Sequence, residues 1–175
     1  RTVAGQVAAA DRGEDSLGWL IKAYQASPEF KKLGERTQAE YRRILSDIGL
    51  AHGTKSWSKL TRPLVMAKIR DPLAETPRKA DLTVSVLSAV YSWAVKREIA
   101  RENPCRGIER LYEAGEGHRA WTAGEIEAFC AGCDEEEWLI FLLAFYTALR
   151  ASDLAKLSWF TYDGDRLTVT TGKTK

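Results

Sequence analysis

Apolar positions recur at helical spacing through most of the first hundred residues. Leu20, Ile21 and Tyr24 follow Ser16, whose hydroxyl is suited to cap a helix start. Thr37-Gln-Ala-Glu40 has the form of a capping box, and behind it Tyr41, Ile44, Leu45 and Ile48 share one helical face. Gly49 and Gly53 punctuate the end of that helix. Trp57 and Leu60 lead to Thr61 and Pro63, a pattern that opens a helix, with Leu64, Val65, Ala67 and Ile69 as its apolar residues. Thr76 before Pro77 repeats the signal. The helix it opens is the longest, about residues 77–99, with Leu87, Val90, Tyr91, Ala94 and Val95 as its stripe. Asn103-Pro104 closes the region, because proline pushes the residue before it out of the helical conformation.

The pattern then changes. Glu113-Ala-Gly-Glu-Gly117 is polar and glycine-rich and reads as a linker. Thr122-Ala-Gly-Glu125 is a second capping box, with Ile126 and Phe129 behind it. Residues 138–149 are almost wholly apolar, which predicts a buried helix, and residues 150–157 predict a short amphipathic one. Asp163-Gly164 reads as a turn. Leu167-Thr-Val-Thr-Thr171 alternates and is rich in β-formers, so a strand is expected there. A strand without a partner leaves an unpaired edge, which predicts a chain cut inside a domain. The pattern as a whole is mainly α. It divides into a flexible lead-in (1–15), a helical domain (16–111), a linker (112–118) and the incomplete start of an α+β domain (119–175).

Composition adds bounds. The 175 residues are 45% hydrophobic and 29% charged, as in a soluble globular protein of one ordinary or two small domains. No apolar run reaches the about 18 residues that a membrane span needs. The first residues lack a signal-peptide core and an initiator Met, which reads as an internal piece. The net charge is only +2, so any nucleic-acid binding has to come from a local basic patch. Three cysteines, an odd count, point to a reducing cytoplasm. Cys130 and Cys133 form a C-x-x-C, but only Cys105, His52 and His118 remain as further zinc ligands, with no second paired spacing. No metal is expected, and the pair reads as two small half-buried residues near a helix end.

Four segments carry a family resemblance. Thr147-Ala-Leu-Arg-Ala-Ser-Asp-Leu-Ala-Lys-Leu-Ser-Trp159 resembles the first catalytic box of tyrosine recombinases of the phage-integrase type, roughly T-G-x-R-x-x-E/D-x-x-x-L-x-W. Ala148 replaces the usual glycine, and Asp153 stands where Glu is commoner. Upstream, Tyr91-Ser-Trp-Ala-Val-Lys-Arg-Glu-Ile-Ala-Arg-Glu-Asn-Pro104 resembles the end of the family's core-binding domain. Thr37–Tyr41 and Trp121–Glu125 resemble, in order, an earlier helix of that domain and the opening of the catalytic domain. The resemblance runs collinearly from about Ser16 to Lys175.

The resemblance implies a helical, SAM-like core-binding domain followed by the truncated start of the catalytic domain. It implies a parent enzyme, bacterial or phage, that cleaves and rejoins double-stranded DNA through a 3′-phosphotyrosyl intermediate, needs no cofactor, and assembles as a homotetramer on DNA. Arg150 is then the catalytic arginine, its planar fork of donors answering charge on the phosphoryl oxygens. Lys173, 23 positions later in a hairpin context, is the expected general acid, with Lys175 as an alternative. Asp153, one helical turn after Arg150, is expected to support local geometry. The family's H-x-x-R box, a following His or Trp, and the nucleophilic tyrosine have no counterpart after Lys173, so the chain is expected to bind DNA without cutting it.

For DNA contact the candidates are Arg42, Arg43, Lys55, Lys59, Arg78 and Lys79, basic residues at helix starts and in loops. Each residue also has a plainer reading. Arg150 can be a charge interacting with a helix dipole, and Gly172-Lys-Thr-Lys175 can be solvated. The same Gly-Lys-Thr echoes a phosphate-binding loop, which needs a further glycine where Arg166-Leu167 stand. A second function class therefore stays open, a non-catalytic helical module that binds DNA or another protein.

Overall fold

The computed structural model describes residues 14–171. Its elements are α1 (Leu17–Ala26), the one-turn α2 (Pro28–Lys31), α3 (Glu35–His52), α4 (Arg62–Val65), α5 (Pro77–Lys96), α6 (Ala123–Gly132), α7 (Glu135–Thr147) and the one-turn α8 (Ala151–Leu154). Short 3-10 turns lie at Trp57–Lys59, Asp71–Leu73 and Trp159–Thr161, and α4 runs on into a π-helical turn at Met66–Arg70. The protein is mainly helical. Its chain divides into two compact units, residues 1–115 and 116–175.

The first unit is built around α5. Leu20 and Leu45 from α1 and α3, Val65 from α4, and Leu87 and Val90 from α5 are fully enclosed. Phe30 from α2 and Tyr24 meet edge to face at 5.5 Å, and Tyr24 meets Trp93 at 5.8 Å, an arrangement favoured by the ring quadrupoles. The chain enters this unit along residues 53–57. Leu17 N–H donates to Lys55 O (2.8 Å), Gly18 N–H to Gly53 O (2.9 Å) and Trp57 N–H to Asp15 O (3.0 Å). A β-carbon at Gly18 would stand 3.2 Å from Gly53 O, so glycine permits this close approach. Trp57 ties three segments together. Its indole N–H donates to Glu14 O, and its carbonyl accepts from the Tyr91 hydroxyl, each at 2.8 Å.

Several helix starts differ from expectation. Ser16 does cap α1, accepting from Trp19 N–H. The capping box at Thr37 does not form, because α3 begins two residues earlier, after Gly34. The Gln38 amide instead folds back and donates to Leu33 O (2.7 Å) and Lys31 O (3.2 Å), which draws the preceding turn into the helix start. Thr61 and Thr76 precede their helices without capping them through the side chain. α5 ends at Lys96, three residues short of expectation, in a Schellman-like turn. There Glu98 takes a left-handed φ of 58° and Ile99 N–H reaches Ala94 O at 2.9 Å.

In the second unit the box at Thr122–Glu125 forms, and an unforeseen one at Asp134–Glu137 starts α7. Two expectations fail here. The apolar helix at 138–149 forms as α7 but is not buried. Ile140 is 59% exposed, Phe145 60% and Tyr146 79%. Its sequence is apolar on every side, and the unit's other helices are too few and too short to cover them all. Phe141 does join a cluster with Trp121, Phe129 and Trp138 at ring distances of 5.4–6.5 Å. The strand at 167–171 is absent. Tyr162 and Leu167 form one antiparallel bridge, and Thr168 N–H donates to Thr161 O. With Asp163 N–H on Arg166 O at 3.2 Å, this pairing closes a tight turn and stops short of a ladder.

Candidate functional site

α7 ends at Ala148, which caps it in the left-handed conformation (φ 51°, ψ 25°) with its N–H on Ala144 O. This residue turns the chain so that Arg150 becomes the extended residue heading α8, and the carbonyl of Arg150 accepts from Asp153 N–H at 2.8 Å. Asp153 is buried, 3% exposed, while the Arg150 side chain is 57% exposed. The Asp153 carboxylate lies 3.9 Å from a guanidinium nitrogen of Arg150. The pair is thus a buried anion behind an outward-facing cation. At 3.9 Å the two are within ion-pair reach but beyond a hydrogen bond, so this contact leaves the donor fork of Arg150 open. Lys173 and its alternative Lys175 lie outside the described residues. The turn that leads toward them is ordered by Asp163, whose carboxylate accepts from Arg166 N–H (2.7 Å) and Asp165 N–H (3.0 Å). Those bonds, the Arg166 one first, hold the Asp163 carboxyl below its ordinary pKa.

The six basic candidates in the first unit are all exposed, but they are not equivalent. Arg42 donates to Gln38 Oε1 (2.8 Å) and lies 5.2 Å from the centre of the Phe30 ring. Arg78, in the first turn of α5, stacks 4.3 Å over the Tyr112 ring and donates to its hydroxyl. A phosphate would have to compete with both contacts. Arg43, Lys55, Lys59 and Lys79 make no such side-chain contact among the described residues.

Asp81, which drew no attention in the sequence, and Asn103, read there as a helix end, organise the exit from this unit. Asp81 accepts from Leu111 N–H (2.9 Å) and Tyr112 N–H (3.0 Å). Asn103 accepts from Cys105 N–H and donates to Ser88 and Ser92, which folds the segment after Pro104 back on α5. These bonds span 11 to 31 residues wherever they leave the local turn, so no short motif announces them. Cys105 is buried there, and desolvation pushes its thiol up to about 12. Cys130 and Cys133 are free and half-buried at the end of α6, where the Cys133 thiol donates to Cys130 O. Among the described residues no group of three or more His, Cys, Asp or Glu is placed to hold a metal ion. No helix among them is long and apolar enough to cross a membrane.

Comparison with known proteins places this geometry. No family model matches the chain. In sequence it is similar to the ICEBs1 integrase of Bacillus subtilis (strain 168), 21% identical over 146 residues, covering 82% of the chain and 33% of that protein. In structure it is similar to lambda integrase. A dimer bound to a COC′ core site matches with a TM-score of 0.72 at 20% identity, over 95% of this chain and 49% of that one. A tetramer bound to a Holliday junction matches with a TM-score of 0.76 at 18% identity, over 99% and 53%. The chain therefore has the fold of lambda integrase over about half that protein's length, and spans a third of the curated relative. The resemblance to tyrosine recombinases drawn from the motifs is met by an integrase in sequence and by lambda integrase in fold.

Proposed function

We propose, from this likeness to integrases in sequence and fold, that the chain is the DNA-binding part, and the opening of the catalytic part, of a site-specific recombinase. The observation that supports it most is the fold, shared along nearly the whole chain with lambda integrase in its core-site and Holliday-junction complexes. Residues 16–111 act as the core-binding domain, residues 112–118 as the linker, and residues 119–175 as the start of the catalytic domain. The parent cleaves and rejoins duplex DNA through a 3′-phosphotyrosyl intermediate and assembles as a tetramer on its site.

Arg150 is the catalytic arginine. Its exposed guanidinium answers the charge that gathers on the non-bridging phosphoryl oxygens, and buried Asp153 positions it. Lys173 donates the proton to the leaving 5′ oxygen. Cleavage further needs a tyrosine nucleophile, and the part these 175 residues play is to bind the duplex and present Arg150 to the phosphate.

Binding of the chain to duplex DNA across a salt series tests this. Affinity is expected to fall steeply with salt. The combined change Arg43→Ala, Lys55→Ala, Lys59→Ala and Lys79→Ala is expected to lower the log–log slope by about 0.9 for each phosphate that is no longer neutralised. Arg78→Ala is expected to weaken binding less than Lys79→Ala, because Tyr112 already occupies Arg78. Salt-independent binding, or none at low salt, would overturn the reading.

A further inference from the structure

The last residues of the first unit are held by three side chains from elsewhere in it. The Arg70 guanidinium donates to Glu109 O at 3.2 Å. Both carboxylate oxygens of Asp81 are used, one on the amide of Leu111 and one on that of Tyr112. Arg78, three residues before Asp81 on the same helix face, covers the Tyr112 ring and bonds its hydroxyl. Two consecutive backbone amides gripped by one carboxylate make charge-assisted bonds, stronger than neutral ones. On the far side of the linker, Arg119 is paired with Glu125 at 2.9 Å, and Glu125 also accepts from the Thr122 amide. Glu113–His118, six residues, is the stretch left between the two anchors.

We propose that Asp81 is a positioning residue: it fixes where the connecting segment leaves the first unit, and so sets how much free chain joins the two units when both sit on one DNA duplex. The DNA half of this rests on the function proposed above. With both anchors closed, Tyr112 to Arg119 can span at most about 25 Å, at ~3.3–3.6 Å per residue. Once the Asp81 grip opens and Tyr112 leaves Arg78 with it, Arg70 still holding Glu109, the free stretch lengthens from six residues to about nine. The effective concentration of one unit near the other falls roughly as the −3/2 power of tether length, so it drops about twofold.

Asp81→Asn tests the idea in the full chain. The amide keeps the shape but offers one acceptor and one donor to two N–H groups. Hydrogen exchange at Leu111 and Tyr112 is expected to speed at least tenfold, while exchange at Leu87 and Val90 in the core of α5 stays unchanged. DNA affinity at fixed salt is expected to fall about twofold, although removing a negative charge would by itself raise it. Deleting Ala114–Glu116 in the Asp81→Asn background restores the free length, and is expected to restore affinity. A merely structural contact would not respond to that deletion. Unchanged exchange at Leu111 and Tyr112, or exchange that rises through α5 as well, would overturn the proposal, as would an affinity that the deletion lowers further. If the unaltered chain binds no DNA, the recombinase reading fails by itself and the exchange result decides the Asp81 grip.

Discussion

Ala148 offers the sharpest test of how Arg150 is presented. Its φ of 51° and ψ of 25° lie in the left-handed region, where an L-residue is strained by about 1–2 kcal/mol through contact between its β-carbon and the backbone. Glycine removes that strain but raises the entropy of the unfolded chain by about 0.5–1 kcal/mol. The difference leaves Ala148→Gly stabilising by about 0.5–1 kcal/mol, a factor of about two to five in the local opening equilibrium. Ala128 provides the control, since it is exposed within α6 in ordinary helical conformation. The same exchange there is expected to cost about 1 kcal/mol. Residue-resolved hydrogen exchange reads both: slower in the last turn of α7 for Ala148→Gly, about fivefold faster in α6 for Ala128→Gly. Glu98, left-handed at φ 58° after α5, is expected to follow Ala148. Equal signs at Ala148 and Ala128 would refute the reasoning, because they would mean that backbone conformation does not decide the effect.

Other consequences follow from burial and charge. Leu45→Ala removes a fully enclosed side chain and is expected to destabilise the first unit by about 2–5 kcal/mol in chemical denaturation. The Glu125 carboxyl is held down to about 2, first by Arg119 and then by the amide and hydroxyl of Thr122. Its folded pKa is depressed, so its support of the α6 start is present above the ordinary carboxylate range, about 4.3, and is lost as pH falls toward 2. An NMR titration following the Thr122 amide is expected to show that transition and to lose it in Glu125→Gln. The Cys105 thiol, pushed up to about 12 by burial, is expected to resist thiol reagents at pH 8 in the folded protein. Mass spectrometry should find Cys130 and Cys133 labelled first and Cys105 only on unfolding.

What the sequence reveals and what it hides divide by range. The stripe Leu87, Val90, Tyr91 and Ala94 on α5 and the box at Thr122 are local signals, and both elements form as their spacing predicts. The start of α3 escapes because Gln38 bonds backward to carbonyls five and seven residues earlier. Burial of α7 is misjudged because apolarity reports what a helix tolerates, not what stands beside it. At the candidate site, Arg150 and Asp153 are legible from their three-residue spacing, whereas Asp81 acts across 30 residues and leaves no pattern to read. Arg78 looks like an open phosphate ligand until Tyr112, 34 residues on, is seen beneath it.

The three-way tie at Trp57 bears on how the first unit is made. The Glu14 carbonyl waits for an indole 43 residues later, and the Trp57 carbonyl for a hydroxyl 34 residues later still. During synthesis from the N-terminus, α1 therefore emerges long before the segment it docks on, and that segment is secured only once α5 has emerged. Each closure loses loop entropy before its contacts compensate. The unit is thus expected to fold as one late, cooperative event, its early helices waiting unassembled as the nascent chain lengthens.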